Sequence, residues 1–586
     1  SPYLRLTDYR GGMEVQRQKA LEAIATHDKK MYFEAYARDF EKIPSSPIAY
    51  WVSENFIAAY SGKQIRDYGF AKSGLQTGNN DVFLKIWSEV SICDIAFGME
   101  SKAQYLTSGK KWTPQIKGGD YRKWYGNFDY VVNWENDGQA VRSCNGARLN
   151  AMGRDDLFFR AGLTWSHTTS SVYGARYLPQ GSLFNVEAPT LFVSEENQSY
   201  FFAFLNSCVA QKYLTAINAT IHYLVGDISS LPLIYRPNRE VDALVKENVA
   251  FAKVDWDSYE TSWDFVRHPL CTGTHTHISS AYEAYKEEAN ARFDRLRANE
   301  EELNRIFIAI YGLEDELTPE VAERDVTVTR IYDTAEEIPS AMRGSSYAVT
   351  RADVVRSLLS YAVGCMFGRY SLDEEGLVYA GGDWDAARYQ RFAPDADAII
   401  PVCDDEYFID DIAARFTAFV EAAYGAETLE ENLRYVADAL GGKGAPREAI
   451  RSYFLREFYA DHVRRYRRRP IYWLFDSGER NGFKALVYLH RYSPELLAGL
   501  RTDYIHPQQS RYMAARADVE RRIAEAAGAE RVLLTKRRTQ LRAQEEELTA
   551  YEARVHHLAD RRIALDLDDG VRHNYALLQD VLAKVK

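Results

Sequence analysis

The strongest constraint on the fold is a change near residue 237 in how apolar residues and turn residues are distributed along the sequence. Before it, short apolar runs such as DYVVNW (Asp129 to Trp134) and GSLFNV (Gly181 to Val186) alternate with turns rich in Gly, Asn, Ser and Thr. Runs of this kind, bounded by turn residues, are typical of strands. After Pro237, apolar residues recur at helical spacing. We therefore predict an α+β fold, with a mixed β domain inside a largely α-helical chain.

Two helical features are predicted within this plan. The stretch SYFFAFLNSCVAQKYLTAI (Ser199 to Ile217) predicts one helix inside the strand-rich region. A charged helical pattern from Ser510 to Arg562, broken near Gly528, predicts the two antiparallel arms of a C-terminal coiled-coil hairpin. The predicted regions are a leading segment 1–65, a β domain 66–240, a helical domain 241–505, and a hairpin with its tail 506–586.

Composition narrows the class of protein. The 586 residues include 72 Lys and Arg against 84 Asp and Glu, a formal net charge of −12, which argues against a generic nucleic-acid binder. The location of charge matters more, and between residues 66 and 240 the two signs nearly balance. Six cysteines without a CxxC pair are typical of a reduced, cytoplasmic protein. No apolar run approaches 18 residues, so we expect no membrane partner.

Familiar catalytic and metal motifs are missing from the sequence. Walker A, GxSxG and HExxH patterns do not occur, and the glycine cluster LGGKGAP (Leu440 to Pro446) fits a helix C-cap better than a cofactor loop. Four potential zinc ligands fall close together, but their spacing suits a polar loop better than a tetrahedral site; they are His268, Cys271, His275 and His277. The acidic run CDDEYFIDD (Cys403 to Asp411) fits a helix N-terminus. We predict no catalytic residue and no metal.

Four stretches do carry binding chemistry. GLQTGNNDVF (Gly74 to Phe83) and GLTWSHTTSSVYGARYLP (Gly162 to Pro179) hold amides and hydroxyls that can contact base edges, with glycines that allow a phosphate close to the backbone. A third stretch, around Trp112 to Gly138, interleaves basic and aromatic residues. The fourth, VRRYRRRPIYW (Val463 to Trp473), suits a DNA backbone or, equally, a solvated helix end. Plain turns and a carbohydrate-binding β domain remain alternatives.

Several segments, in this order, resemble the PglX family: KIPSSPIAYWVS, GLQTGNNDVF, KGGDYRKWYGNFDYVVNWENDG, FLNSCVAQKYLTAINATIHYLVGDISSLPL, NEEELNRIFIAIYGLEDELTPE, YRRRPIYWLFDSG and DLDDGVRHNYALLQ. This family comprises adenine-specific DNA methyltransferases of BREX phage-defence systems, related to type IIG restriction-modification enzymes. Family members carry a glycine-containing S-adenosylmethionine loop and an Asn-Pro-Pro-Tyr type motif that holds a flipped adenine. Neither motif occurs in this sequence.

The resemblance therefore implies that the chain corresponds to the portion after the methyltransferase core, and its start at Ser1 without Met fits a fragment or a separate chain. Residues 1–65 would be the linker that follows the core, and residues 66–240 the target recognition domain. S-adenosylmethionine would be a cofactor of the full-length family and not of this chain. The implied partner is duplex DNA, together with other BREX proteins.

The resemblance also assigns roles to single residues. Thr77, Asn79 and Asn80 would face DNA. The residues implied to track phosphates are Lys117, Gly118, Gly119, Arg122, Lys123 and Tyr125. Those implied to lie near base edges are Trp165, Ser166, Thr168, Thr169, Ser170 and Ser171. The arginine-rich stretch, independently of the resemblance, offers Arg467 and Arg468 as candidate contacts to the DNA backbone.

The function implied is sequence-specific recognition of duplex DNA, which in the complete enzyme positions an adenine for N6 methylation that marks host DNA. Two hypotheses of other classes stay open. One is a protein-interaction scaffold that docks other BREX components and contacts DNA weakly. The other is a standalone carbohydrate-binding or hydrolytic protein, which would need a carboxylate pair in a cleft.

Overall fold

A computed structural model describes residues 2–7, 9, 11–44, 46–149, 157–169, 172–218 and 220–585. Helices and several small sheets alternate along the chain, so the predicted α+β class is confirmed. None of the helices in these ranges is both long and apolar enough to cross a bilayer.

The leading segment is a small unit built on an antiparallel pair of strands, Pro2–Leu4 and Tyr32–Glu34. The helix Met13–Thr26 connects the two strands, and the short helices Ala37–Phe40 and Glu54–Ala58 follow. The ring of Tyr3 stacks on that of Tyr50, with 4.7 Å between centroids. Aromatic stacking thus joins the first strand to the segment that precedes the helix Glu54–Ala58.

Two four-stranded sheets form the β region. The first is antiparallel throughout, in the order Ala175–Leu178, Gly162–Trp165, Thr190–Phe192, Phe70–Lys72. The second is mixed, because its first two strands are parallel; its order is Leu183–Phe184, Trp112–Ile116, Tyr130–Asn133, Leu84–Ile86. A small pair, Leu75–Gln76 with Arg148–Leu149, carries the glycine-rich turn. Every residue of Gly162–Trp165 and Trp112–Ile116 is buried, so these strands are covered on both faces.

Helices that follow these strands in the chain provide that cover. The predicted single helix at residues 199–217 is two helices, Glu195–Leu205 and Cys208–Ile217, because the Ser207 hydroxyl accepts a hydrogen bond from the Ala210 N–H (3.3 Å) and caps a new helix. The helix Arg239–Asp257 packs beside them. The predicted boundary at residue 240 therefore falls within one continuous core.

The helix Ile278–Tyr311 belongs to two cores at once. Leu303 and Phe307, near its C-terminal end, pack into the core of the β region. Ile278 and Tyr282, near its N-terminal end, pack into the core of the helical region. At 34 residues it is about 50 Å long, which is enough to span both cores.

The helical region surrounds a three-stranded antiparallel sheet in the order Ile399–Pro401, Lys484–Tyr488, Tyr472–Asp476. A parallel pair, Arg330–Tyr332 with Ala348–Thr350, precedes it. Outside the hairpin, the remaining α-helices among the described residues are Asn80–Phe83, Lys102–Ser108, Glu135–Arg142, Val225–Ser229, Arg351–Met366, Ile412–Tyr424, Leu429–Ala439, Pro446–Arg456, Phe458–Arg465, Leu496–Gly499 and Gly570–Leu577.

Two packed helices, His506–Glu525 and Gly528–Asp560, joined at Ala526 and Ala527, lie where the sequence predicts a coiled-coil hairpin. Buried residues in the second helix recur every seven positions, at Leu534, Leu541, Leu548 and Val555. That spacing keeps one stripe of the helix against its neighbours. Supercoiling of the pair remains a prediction.

Candidate nucleic-acid interface

The turn GLQTGNNDVF starts a short helix at the protein surface. Gly78 has φ +78°, and a Cβ there would lie 2.8 Å from the Ala147 backbone nitrogen, so only glycine fits. Thr77 is buried, and its hydroxyl donates to Asn80 Oδ1 (2.7 Å). Asn79 Oδ1 accepts from the Val82 N–H (3.3 Å) and caps the helix Asn80–Phe83. Asn79 and Asn80 are exposed, and among the described residues their side-chain NH₂ groups have no partner.

Lys123 points into the protein rather than toward solvent. Its Nζ lies 2.7 Å from Oε2 of Glu300, and the other oxygen of Glu300 accepts from Trp124 Nε1 (2.7 Å). Both Lys123 and Glu300 are buried. Burial lowers the pKa of Lys123, and Glu300 together with other neighbours outweighs that effect and raises it. The implied role in tracking phosphates does not fit this position, because the charge is already committed to an internal carboxylate.

Arg122 and Tyr125 are also turned inward. The Arg122 guanidinium lies 3.6 Å from Asp255 and between the rings of Trp256 and Tyr347. The Tyr125 hydroxyl accepts from Lys253 Nζ (3.3 Å), and burial raises its pKa to about 12. The basic and aromatic residues that alternate here therefore pack against helices that come later in the chain. The local sequence gives no sign of these contacts.

The rest of this stretch is only partly accessible. Gly118 is buried against the Glu187 carbonyl, 2.7 Å from where a Cβ would stand. Gly119 is exposed at φ +123°, a backbone conformation that favours glycine. Lys117 is half-buried, with its Nζ 5.3 Å from the Tyr130 ring centroid. Lys117 and Gly119 are therefore the implied phosphate contacts that still face outward here.

In the stretch that begins at Gly162, some of the residues implied to contact DNA are buried and others are exposed. Trp165 is fully buried, and its Nε1 donates to the Tyr223 carbonyl (2.9 Å). Ser166 is buried and donates to the Gly119 carbonyl (3.1 Å). These two side chains are core residues and do not reach a base edge from where they stand.

Thr168 and Thr169, in contrast, lie at the surface beside two histidines. Thr168 Oγ1 is 3.1 Å from His167 Nδ1 and 2.9 Å from His222 Nδ1. Thr169 is half-exposed, and its N–H donates to the Ile221 carbonyl (3.0 Å). His222 lies 54 residues after Thr168 in the chain, and the sequence around Thr168 does not indicate this contact. Ser170 and Ser171 lie outside the described residues.

The arginine-rich segment borders an open groove of about 1270 Å³. The cationic residues that line it are Arg456, Arg464, Arg467, Arg468, Lys484 and Lys584, against the carboxylates of Asp476 and Glu479. Sequence reasoning found Arg467 and Arg468 but missed Arg456, Lys484 and Lys584, because these come from a helix, a strand and the chain's last residues. A groove with this excess of cations suits a polyanion.

Two successive left-handed residues shape the wall of this groove. The helix Phe458–Arg465 ends, and Arg467 and Arg468 follow with φ +51° and +61°. Such backbone conformations cost about 1–3 kcal/mol each for residues other than glycine and cluster at binding sites. Arg467 pairs with Asp129 of the β region (3.1 Å), which places the groove against that region. Arg468 is exposed, and its guanidinium has no hydrogen-bond or ion-pair partner among the described residues.

The opposite wall is ordered by Glu547 of the hairpin. Its carboxylate accepts from the Ser477 hydroxyl (2.7 Å) and from the N–H groups of Arg480 (2.8 Å) and Gly482 (3.0 Å). The turn 477–482 is thereby fixed between a hairpin helix and the groove. Charge-assisted bonds to backbone donors are among the stronger hydrogen bonds, so the wall is held in one conformation.

The His and Cys cluster has a structural role in this fold. His268 Nδ1 accepts from the Leu270 N–H (3.2 Å), so Nε2 carries the proton and donates to Ser357 (2.9 Å). Burial lowers the pKa of His268 to about 3. His277 instead meets Glu431 (2.8 Å). Within the described ranges, no group of three or more His, Cys, Asp and Glu side chains is arranged to hold a metal ion.

No protein-family model matches the chain. It is 38% identical over 594 residues to the adenine-specific methyltransferase PglX of Lacticaseibacillus casei (strain Zhang), which covers 98% of this chain and 48% of that protein. It is 36% identical over 570 residues to the adenine-specific methyltransferase BrxX of Escherichia coli O9:H4 (strain HS), which covers 94% of this chain and 46% of that protein.

The chain is thus related in sequence to adenine-specific methyltransferases. It belongs to the PglX family, as the resemblance implied, and it spans about half the length of the curated relatives it matches.

Proposed function

We propose that this chain binds duplex DNA as the recognition portion of a PglX-type adenine-specific methyltransferase that marks host DNA in BREX defence. The observation that carries the proposal is the cationic groove beside Asp129, where Arg456 and Arg468 are exposed without a carboxylate partner among the described residues. The exposed amides of Asn79 and Asn80 supply donors that suit base edges. The groove would hold the backbone, and the turn would contact bases.

The methyl-transfer chemistry is assigned to a part of the enzyme outside this chain. The close glycine cluster, with Gly441 at φ +73° and Gly444 at φ +92°, lies in a turn between the helices Leu429–Ala439 and Pro446–Arg456. A cofactor loop would instead follow a strand and open a helix. These residues therefore do not fit S-adenosylmethionine, and we assign no catalytic residue here.

Salt dependence tests the groove. Arg456→Ala combined with Arg468→Ala should lower the magnitude of the slope of log K against log salt by about 2, because each lost phosphate contact removes about 0.9. The measurement is fluorescence anisotropy on a labelled duplex at several salt concentrations. A matched control removes two exposed arginines that do not line the groove, Arg305→Ala with Arg324→Ala, and should leave the slope unchanged. Equal slopes for both double variants would contradict the proposal.

A test of base contact by the turn that contains Asn79 and Asn80 requires a variant that does not disturb the fold. Asn79→Ser retains an oxygen that can cap the helix but removes the amide donor, so stability should change little. Affinity for the preferred sequence should fall by about 1–3 kcal/mol, and affinity for a scrambled duplex should not change. Lys117→Ala should weaken both duplexes alike. Competition binding with the preferred duplex and a scrambled duplex measures both affinities. If Asn79→Ser lowers the affinity for both duplexes equally, Asn79 does not contact a base.

A further inference from the structure

The segment DLDDGVRH, residues 566–573, folds back onto the edge strand of the mixed sheet, and we call it the C-terminal clasp. Lys85, in the edge strand Leu84–Ile86, is buried, and its Nζ donates to the Asp569 carbonyl (2.9 Å) although 484 positions separate them. Gly570 has φ +77°, and a Cβ there would stand 2.9 Å from Lys85 Cδ. The backbone of the clasp therefore lies directly on the Lys85 side chain.

Lys85 also contacts the glycine-rich turn. The same Nζ donates to the carbonyl of Asp81 (2.6 Å), which lies in the helix Asn80–Phe83. The Asp81 carboxylate in turn lies 3.1 Å from Arg572 of the clasp. A helix of four residues has too few hydrogen bonds of its own to be stable alone. The position of this helix therefore depends on Lys85 and the clasp.

Glu89 connects the clasp to the arginine-rich segment beside the cationic groove. Its Oε1 accepts from the Val571 N–H (3.1 Å) and lies 3.3 Å from the guanidinium of Arg469. Its Oε2 accepts from the N–H of Ile86 (2.8 Å) in the edge strand. Glu89 is 1% exposed, so these charge-assisted bonds are shielded from water. One buried carboxylate thus joins the strand, the clasp and the arginine-rich segment.

Asp568 attaches the clasp to a second strand of the same sheet. Its carboxylate accepts from Lys111 Nζ (2.6 Å) and from Trp112 Nε1 (2.6 Å). Trp112 is buried at the start of the strand Trp112–Ile116. The clasp is therefore held by directional bonds on both sides of the point where it touches Lys85.

We propose that the C-terminal clasp is a positioning element that fixes the glycine-rich turn relative to the cationic groove. This inference rests on the proposed function, because the groups that it positions are the amides of Asn79 and Asn80. Donors that contact base edges must match the positions of their acceptors, whereas phosphate contacts carry no sequence information. Release of the turn should therefore lower sequence discrimination and leave the general affinity for duplex DNA nearly unchanged.

Lys85→Met tests this role, because it keeps the apolar stem and removes both bonds to carbonyls. The ratio of affinities for the preferred and scrambled duplexes should fall by about fivefold or more, the lower end of what one base contact contributes. Affinity for the scrambled duplex should stay within about twofold. In the free chain, amides of residues 79–84 should exchange at least about tenfold faster, and those of Gly162–Trp165 should not change. Competition binding and hydrogen exchange measure the two effects.

A charge exchange at the surface gives a second test that does not disturb the core. Arg572 and Asp81 are 67% and 80% exposed, so their pairing contributes little to stability. Arg572→Asp places two like charges together and should lower the discrimination ratio by about twofold to fivefold. Asp81→Arg combined with Arg572→Asp restores the pair at the original net charge and should recover the ratio. A direct contact of Arg572 with DNA would not be recovered in this way.

The matched control is Lys212→Met, which removes a cation of the β region that pairs with Glu316 instead (2.6 Å). It should keep both the discrimination ratio and the exchange rates of residues 79–84. Equal discrimination by Lys85→Met and the unaltered chain, or no recovery in the charge exchange, would overturn the positioning role alone. If the unaltered chain does not distinguish the two duplexes, the proposed function fails and the positioning role fails with it.

Discussion

Replacing Lys123 by methionine is expected to lower the free energy of unfolding by about 3–5 kcal/mol, because it leaves the buried carboxylate of Glu300 without its cation. Methionine is also unbranched and only one heavy atom shorter than lysine, so the loss of stability mainly reports the lost charge rather than lost volume. Trp124 Nε1 would still donate to Glu300, but one neutral donor does not compensate a buried negative charge. Urea unfolding followed by tryptophan fluorescence measures the change.

A double-mutant cycle identifies the cause. Lys123→Met combined with Glu300→Gln removes both charges and should recover most of the lost stability. At a temperature where Lys123→Met is still folded, its DNA-binding salt slope should match that of the unaltered chain. A stable Lys123→Met protein with a slope reduced by about 1 would restore the role in phosphate contact that the sequence suggested.

The second large effect is expected at Trp165. Trp165→Ala should cost about 3–5 kcal/mol, because it empties the position of a fully buried indole on the central strand Gly162–Trp165. Trp165→Phe keeps most of the apolar contact and should cost less, although it loses the hydrogen bond to the Tyr223 carbonyl (2.9 Å), worth about 0.5–1.5 kcal/mol.

The comparison of the two Trp165 variants separates packing from DNA contact. If Trp165 is a core residue, folded Trp165→Phe binds DNA like the unaltered chain. If it lies at a base edge, both variants keep their stability and lose sequence preference together. Denaturant midpoints and competition binding on the same preparations distinguish the two cases.

Local signals in the sequence predicted local structure well. The α+β class, the strand-and-turn texture before Pro237 and the paired helices around Gly528 are all present in the fold. The glycine-rich turn contains the helix cap that its Asn and Thr residues favour. These features depend on backbone geometry within a few residues, which the residues themselves largely determine.

The local sequence did not predict whether these side chains are buried or which residues they contact. Arg122 and Lys123 have the composition of a phosphate-binding stretch, but their carboxylates come from Asp255 and Glu300, on two helices much later in the chain. His222 reaches Thr168 across a shorter gap of 54 residues. A basic residue near aromatics can serve a buried pair or a ligand, and only the tertiary partner distinguishes the two.

The helix Ile278–Tyr311 has a further consequence for how the protein is made. Strands near residue 70 share a core with Leu303 and Phe307 of this helix, and Lys123 is neutralised by a residue 177 positions later. At about 5–20 residues per second, a ribosome needs roughly 10–35 s to synthesise that interval. During this time the helices Glu195–Leu205, Cys208–Ile217 and Arg239–Asp257 can already pack on the sheets, but Leu303 and Phe307 are missing from the core. The core of the β region is therefore completed only after translation has passed residue 311.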